Sequence, residues 1–309
     1  MRKIALINQK GGVGKTTTAV NLGAALAETG SRVVLVDLDP QANLTLHLGI
    51  EQAGGVPTTY DVLLGEEPFA AAIRPTATPG LRVVATDIQL SGAELELASA
   101  LGRETLLRDA VETWRREARQ ATGEEPADYL VFDCPPSLGL LSINALAAAD
   151  EVFIAVQTEF FALQGMSKLV EVVGLVRRRL HPALRIRTIV PCLYDSRLRL
   201  AREVLAELRA HFPQEVSRTA IGLNVKLAEA PSFGKTILEY APDCHGARDY
   251  RALAMEIRGQ EAPAAASPAP PAEIRPAPPP VPAPVPVPVR AAATVPAEVE
   301  EPARREGGR

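Results

Sequence analysis

Two lysines bracket a run of glycines in Lys10-Gly11-Gly12-Val13-Gly14-Lys15-Thr16-Thr17, directly after the apolar stretch Ile4-Ala5-Leu6-Ile7. Glycine at 11, 12 and 14 lets backbone N–H groups turn inward and approach a polyphosphate with no Cβ in the way. The helix expected next offers its positive N-terminal end to the same anion. In a loop of this kind Lys15 reaches the β- and γ-phosphates and Thr16 ligates Mg2+. The chemistry to expect is binding and hydrolysis of ATP, set against the plainer possibility of a glycine turn joining strand to helix. Lys10 is the unusual member, since an ordinary phosphate loop has no lysine at its first variable position. It adds a second cation near the phosphates.

Three acids stand where the next apolar runs stop. Asp37 closes Val33-Val34-Leu35-Val36, and Asp39-Pro40-Gln41-Ala42-Asn43 follows it; Asp133 ends Tyr129-Leu130-Val131-Phe132 and leads into Cys134-Pro135-Pro136-Ser137. Carboxylates there can hold Mg2+ through water or orient an attacking one. Each also has a purely local reading, Asp39-Pro40 as a turn ahead of a helix N-cap and Asp133 as a turn or capping acid.

The elements that position these residues follow from the hydrophobic pattern. Short runs of Val, Ile and Leu predict strands at Lys3–Asn8, Arg32–Asp37, Leu81–Ala85, Tyr129–Asp133, Glu151–Val156 and Ile186–Pro191. Runs this continuous imply a parallel sheet covered on both faces. Helical periodicity occupies Lys15–Thr29, Glu104–Gln120, Leu163–Leu180 and Arg197–Phe212, the last through Leu200, Val204, Leu205 and Leu208. The fold class expected is therefore a doubly wound α/β domain, and right-handed crossovers gather the three polar loops at one sheet edge.

Composition bounds the rest. The chain of 309 residues is 47% hydrophobic with net charge −4, enough for a buried core and too acidic for a uniformly basic nucleic-acid binder. Any DNA contact must come from a local patch. Cys134, Cys192 and Cys244 have neither metal-site nor Cys-x-x-Cys spacing, and no signal peptide is seen ahead of the first strand, so a reducing cytoplasm is expected. The longest apolar region, Leu138 to Val156, is broken by Ser142, Asn144, Asp150 and Glu151, which argues against a membrane span. Two segments are expected: a nucleotide-binding domain over 1–258 and a disordered tail over 259–309. Residues 260–309 hold 14 of the 27 prolines, with alanine and valine, too little to build a core. From Pro276 to Pro288 polyproline II is favoured, and about 50 residues at roughly 3 Å each reach on the order of 150 Å. That tail is either a passive solvated segment or a docking segment.

Taken together, Lys10 to Thr17, Asp37-Leu-Asp39-Pro-Gln-Ala-Asn43 and Asp133-Cys-Pro-Pro-Ser137 resemble the nucleotide motifs of the ParA/Soj partitioning ATPases. The resemblance continues through Glu159-Phe-Phe-Ala-Leu-Gln-Gly165 and Ala228-Glu-Ala-Pro-Ser-Phe-Gly234-Lys235, covering residues 1 to about 258. It implies that Lys10 crosses a dimer interface to the partner's nucleotide, so that ATP drives sandwich homodimerisation. It implies that Asp39 positions the hydrolytic water, that Thr16, Asp37 and Asp133 serve the magnesium shell, and that Asn224 lies on the adenine side. Hydrolysis would be slow alone and accelerated by a basic peptide of a DNA-bound ParB-type partner.

Basic residues collect late, among them Arg177, Arg178, Arg179, Arg185, Arg187, Arg197, Arg199, Arg202, Arg218, Lys226 and Lys235. By resemblance, Arg197 and Lys226 match positions that bind double-stranded DNA without sequence preference, implying a nucleoid-associated protein. Each arginine can also be a solvated helix face, and Arg199 and Arg202 can pair with Glu203 or Glu207. One departure stands out: Gly222-Leu223-Asn224 replaces the family's Pro-Arg-Asn, which weakens DNA contact or shifts it to Arg218. With no helix-turn-helix ahead of Met1, operator binding is not expected. Two other classes share the two-lysine loop. A MinD-like membrane-positioning ATPase calls for an amphipathic C-terminal helix, where this sequence is proline-rich, and a protein resembling the nitrogenase iron protein calls for a pair of cluster-binding cysteines.

Overall fold

The computed structural model describes residues 1–51, 55–159 and 162–260, excepting the side chain of Gln164. The strands are β1 (Arg2–Ile7), β2 (Val33–Asp37), β3 (Ile73–Pro75), β4 (Leu81–Val84), β5 (Tyr129–Asp133), β6 (Glu151–Gln157) and β7 (Arg185–Cys192). They form one sheet in the order β3-β4-β2-β5-β1-β6-β7. All neighbours are parallel except β3 against β4. The six strands expected from apolar runs are present with ends shifted by a residue or so. The antiparallel β3 is additional, and its proline is tolerated because the strand lies at the sheet edge.

Eleven helices flank the sheet among the described residues: α1 (Lys15–Glu28), α2 (Asn43–His47), α3 (Thr59–Leu64), α4 (Leu90–Glu96), α5 (Leu106–Thr122), α6 (Leu140–Ala148), α7 (Ala162–Arg179), α8 (Arg199–His211), α9 (Val225–Glu229), α10 (Ile237–Tyr240) and α11 (His245–Gly259). The period-2 alternation of the strands divides the core in two. Ala5, Ile7, Val34, Val36, Leu130 and Phe132 point to the face covered by α3 to α8. Ile4, Leu6, Val33, Leu35, Tyr129 and Val131 point to the face covered by α1, α2 and α9 to α11. Every residue of β2 and β5 is buried, which is why their sequences read as unbroken apolar runs. This is the doubly wound α/β architecture expected.

Helix α8 starts at Arg199, two residues after the expected Arg197, because Asp195 accepts the Arg197 N–H at 3.0 Å and holds that residue in the preceding turn. After β7, residues 215–223 run along its outer edge, bridging Ile189 to Val216 and Tyr194 to Gly222. No helix among the described residues is long and apolar enough to cross a membrane. The proline-rich tail expected from residue 259 lies outside the described residues from 261 onward, and Gly259 itself closes α11.

Candidate nucleotide site at the sheet edge

Parallel pairing brings the ends of β1, β2 and β5 level. Leu6 and Asp37 both pair with Asp133. The Leu38 N–H donates to the Asp133 carbonyl at 3.0 Å and the Cys134 N–H to the Leu6 carbonyl at 3.2 Å, so the three loops leave side by side. Brought together there are the glycine loop, Asp37, Asp39 and Asp133.

Gly12 (φ 74°) and Gly14 (φ 92°) adopt left-handed backbone, which a side chain rarely tolerates. A Cβ on Gly11 or Gly12 would meet nothing within 4 Å, so the loop's outer side is an open cradle. Helix α1 begins at Lys15 with no side chain capping its first turn, leaving its N–H groups directed at that cradle. Val13 is buried in the core, so only its backbone can face a ligand. Lys15 is 7% exposed, held at the acid-lined edge. Behind the loop, the Thr18 hydroxyl lies 3.2 Å from the Tyr250 hydroxyl and 3.6 Å from Cys192 Sγ, tying α1 to α11 and β7. Asn21 Nδ2 donates to the Thr17 carbonyl at 2.8 Å, and its Oδ1 accepts the Ile237 N–H at 2.6 Å.

The acids differ sharply in their surroundings. Asp37 is wholly buried; its Oδ2 accepts both the Thr45 N–H (2.9 Å) and the Thr45 hydroxyl (2.7 Å), and its Oδ1 the Asp39 N–H (3.2 Å). Burial pushes its pKa up to about 6, against the pull of those hydrogen bonds. Asp133 is wholly buried too, and neither oxygen meets a hydrogen-bond partner among the described residues. Burial pushes its pKa up to about 8; the neighbouring Asp37 adds to the shift, and the nearby Thr16 hydroxyl, close but outside hydrogen-bond geometry, and Lys15 oppose it. Asp39 sits at the start of the following turn, its Oδ1 accepting the Gln41 N–H at 3.0 Å. That turn ends in Ala42 at φ 53°, a left-handed conformation costing about 1–2 kcal/mol in a non-glycine residue.

An orphaned buried carboxyl beside a second one suits a divalent cation, whose charge reverses the shift that burial imposes. Two carboxyls and a threonine hydroxyl are the sparse oxygen set that Mg2+ accepts when phosphates and waters complete its octahedron. The residues present therefore fit a magnesium nucleotide.

Lys10 lies on the flank, its side chain 55% exposed, with Nζ 3.0 Å from Gln157 Oε1 and 2.5 Å from Glu159 Oε2. Phe160 and Phe161 of the neighbouring motif lie outside the described residues. Asn224 does not point an idle amide at the edge. It caps α9, Oδ1 accepting the Lys226 N–H at 2.8 Å, while Nδ2 donates to Cys244 Sγ at 3.4 Å. The Tyr194–Gly222 bridge joins the segment leading to the turn of Arg197 to the segment leading into α9, which carries Lys226, whereas Arg218 lies earlier on that second segment, its N–H donating to Glu256 at 2.8 Å. Arg197 forks onto Asp195 at 2.7 Å, and Lys226 pairs with Glu229 at 2.9 Å and lies over the Tyr240 ring. Sequence reasoning missed Thr45, Tyr250 and Glu94, the last set against Gly139 and accepting the Leu141 N–H at 3.3 Å. No motif marks them, since each acts through a residue distant in sequence.

A parallel sheet whose first strand runs through a glycine loop into an uncapped helix, with two strand-end acids alongside, defines a phosphate-loop nucleotide-binding protein. An AAA domain family model matches residues 1–186. The chain is 46% identical over 269 residues to the chromosome partitioning protein ParA of Caulobacter vibrioides, covering 87% of this chain and 98% of that one. It is 47% identical over 264 residues to the chromosome-partitioning ATPase Soj of Thermus thermophilus, covering 85% and 98%. Among solved structures it resembles cobyrinic acid a,c-diamide synthase from Mycobacterium smegmatis, with bound ATP analog and magnesium, at TM-score 0.71 and 33% identity over 85% of this chain and 96% of that one. The chain belongs to the ParA/Soj family of chromosome-partitioning ATPases.

Proposed function

We propose that the protein is an ATP-dependent DNA-partitioning switch: it binds Mg2+ and ATP at the sheet edge, pairs face to face with a second copy, coats DNA, and lets go on hydrolysis. The observation carrying this reading is Asp133, a buried carboxyl without a partner among the described residues, level with Asp37 and beside the phosphate loop. In this reading the backbone of Gly11 to Gly14 and the first turn of α1 hold the phosphates. Lys15 and Thr17 bind them from the helix side, and Thr16, Asp37 and Asp133 hold the metal shell. Bound Mg2+ neutralises charge on the phosphate oxygens. Asp39 orients the attacking water, since phosphoryl transfer depends on alignment and cations rather than on covalent chemistry.

Lys10 exchanges its surface partners Gln157 and Glu159 for the second copy's nucleotide. Exposed pairs of this kind contribute about 0–1 kcal/mol, so little opposes the exchange. The DNA surface comprises Arg197 and Lys226, with Arg218 as a secondary contact, and Asn224 shapes the adenine-side loop through its cap. Turnover is slow until a ParB-type partner inserts a basic side chain. The decisive experiment uses Asp39→Ala with ATP: an ATP-locked dimer retained on DNA is expected. Hydrolysis at the wild-type rate would overturn the role of Asp39, and a protein that stays monomeric at saturating ATP would overturn the switch itself.

A further inference from the structure

We propose that Thr45 is a positioning residue for the magnesium site, acting by fixing which oxygen of Asp37 faces the ligand. The proposal rests on the reading that Asp37 serves the magnesium shell.

Thr45 lies in α2, eight residues beyond Asp37, and is wholly buried. It grips one oxygen twice, its N–H and hydroxyl both donating to Asp37 Oδ2 at 2.9 and 2.7 Å. The direction of the hydroxyl is determined by its other neighbour, because the Thr86 N–H donates to Thr45 Oγ1 at 3.1 Å. A hydroxyl has one proton, so with a donor already on its oxygen that proton is committed to Asp37. Two donors therefore occupy Oδ2. Among the described residues Oδ1 accepts only the longer bond from the Asp39 N–H at 3.2 Å, and it keeps acceptor capacity for a metal-bound water. Meanwhile the Thr59 hydroxyl donates to the Asp37 main-chain carbonyl at 2.9 Å, so backbone and side chain are each held by a threonine. Without the Thr45 hydroxyl only the two main-chain N–H groups of Thr45 and Asp39 resist rotation of the carboxylate about its terminal bond, a broad and shallow torsion.

The test is a magnesium titration of mant-ATP fluorescence on the full chain, with a parallel binding curve in EDTA. Thr45→Val keeps the side-chain shape and removes the hydroxyl; the half-saturating magnesium concentration should rise about tenfold, the loss of one hydrogen bond to a charged group. Affinity in EDTA should be unchanged, which also reports that the loop is folded, and Thr45→Ser should restore the original midpoint. If Thr45→Val does not fold, Thr45→Ala carries the same comparison. The proposal is overturned if the valine or alanine variant keeps the original midpoint while Asp37→Ala shifts it. It is equally overturned if affinity in EDTA falls by the same factor, which would mean a loosened loop. A midpoint unmoved by Asp37→Ala removes the magnesium role of that residue, and the proposal with it.

Discussion

The acid-lined sheet edge and the late basic surface carry opposite kinds of charge in opposite settings. Asp37 and Asp133 are fully buried, and both are pushed towards the neutral form, Asp37 to about 6 and Asp133 to about 8. The Arg197 side chain is 85% exposed and ion-paired, and Lys226 likewise has Glu229 beside it. Burying an unpartnered carboxyl destabilises a fold, whereas an exposed ion pair shifts stability by about 0–1 kcal/mol in either direction. A costly feature that persists in a well-packed core points to a ligand that offsets the cost. A nearly free one points to nothing by itself, and the basic surface must be tested through its partner.

The largest effect expected is at the buried edge. Lys15→Ala should abolish nucleotide binding, lowering affinity at least about a hundredfold as measured by mant-ATP titration. Retained binding would mean that the cradle, and not its cation, holds the phosphates. Next comes Asp133→Asn, which sets function against stability. A carboxyl raised from 3.8 to about 8 contributes most to stability below pH 4, and that contribution is lost as the pH rises to about 8. An asparagine of the same shape stays neutral throughout. The nucleotide-free variant should therefore melt about 5 °C higher at pH 8 and show a flatter melting profile between pH 4 and 8. Magnesium-dependent hydrolysis should fall about a hundredfold in the same protein. A melting point lowered at pH 8 would show that Asp133 is held by the fold itself, and the contrast between the two regions would collapse.

What is legible in the sequence follows the same division. The glycine loop and the strand-end acids are legible because their chemistry is local: consecutive glycines, and an acid directly after a run buried on both faces. Strands β1, β2 and β5 read as continuous apolar runs because two helical layers cover them. Strand β3 has three residues, one of them proline, at the sheet edge, and leaves almost no pattern. Thr45 is illegible for a different reason, since a threonine in a five-residue helix carries no periodicity and its hydroxyl finds Asp37 only after the chain turns back. Asn224 has a readable signal, an asparagine directly before a short helical run, which is the pattern of an N-cap. Its amide meets that local demand in α9. The surface cations are legible only where helical spacing is regular: Arg199 meets Glu203 at 2.7 Å as its i,i+4 spacing predicts, whereas Arg197 turns back onto Asp195 in a turn that no periodicity marks.

The smallest and most diagnostic effect is expected on that surface. Arg197 sits on the turn after Tyr194 and Lys226 in α9 just beyond Gly222, the two segments joined by the Tyr194–Gly222 bridge, yet each is already engaged with an acid, Asp195 at 2.7 Å and Glu229 at 2.9 Å. In the proposed function, DNA has to compete with those acids for the cations. It can, because exposed pairs are weak and a polyphosphate gains further from releasing its own counterions. Replacing Arg197 and Lys226 together by glutamate should remove retention on DNA while leaving ATP-dependent dimerisation intact, since neither residue belongs to the nucleotide edge. Milder neutral replacements, Arg197→Gln with Lys226→Gln, should reduce the slope of log affinity against log salt by about 2, close to one unit for each phosphate left without its cation. A filter-binding series in which the slope stays the same would move the DNA surface to Arg218 and the segment beside β7. The basic patch would then be what its ion pairs alone suggest, a solvated surface.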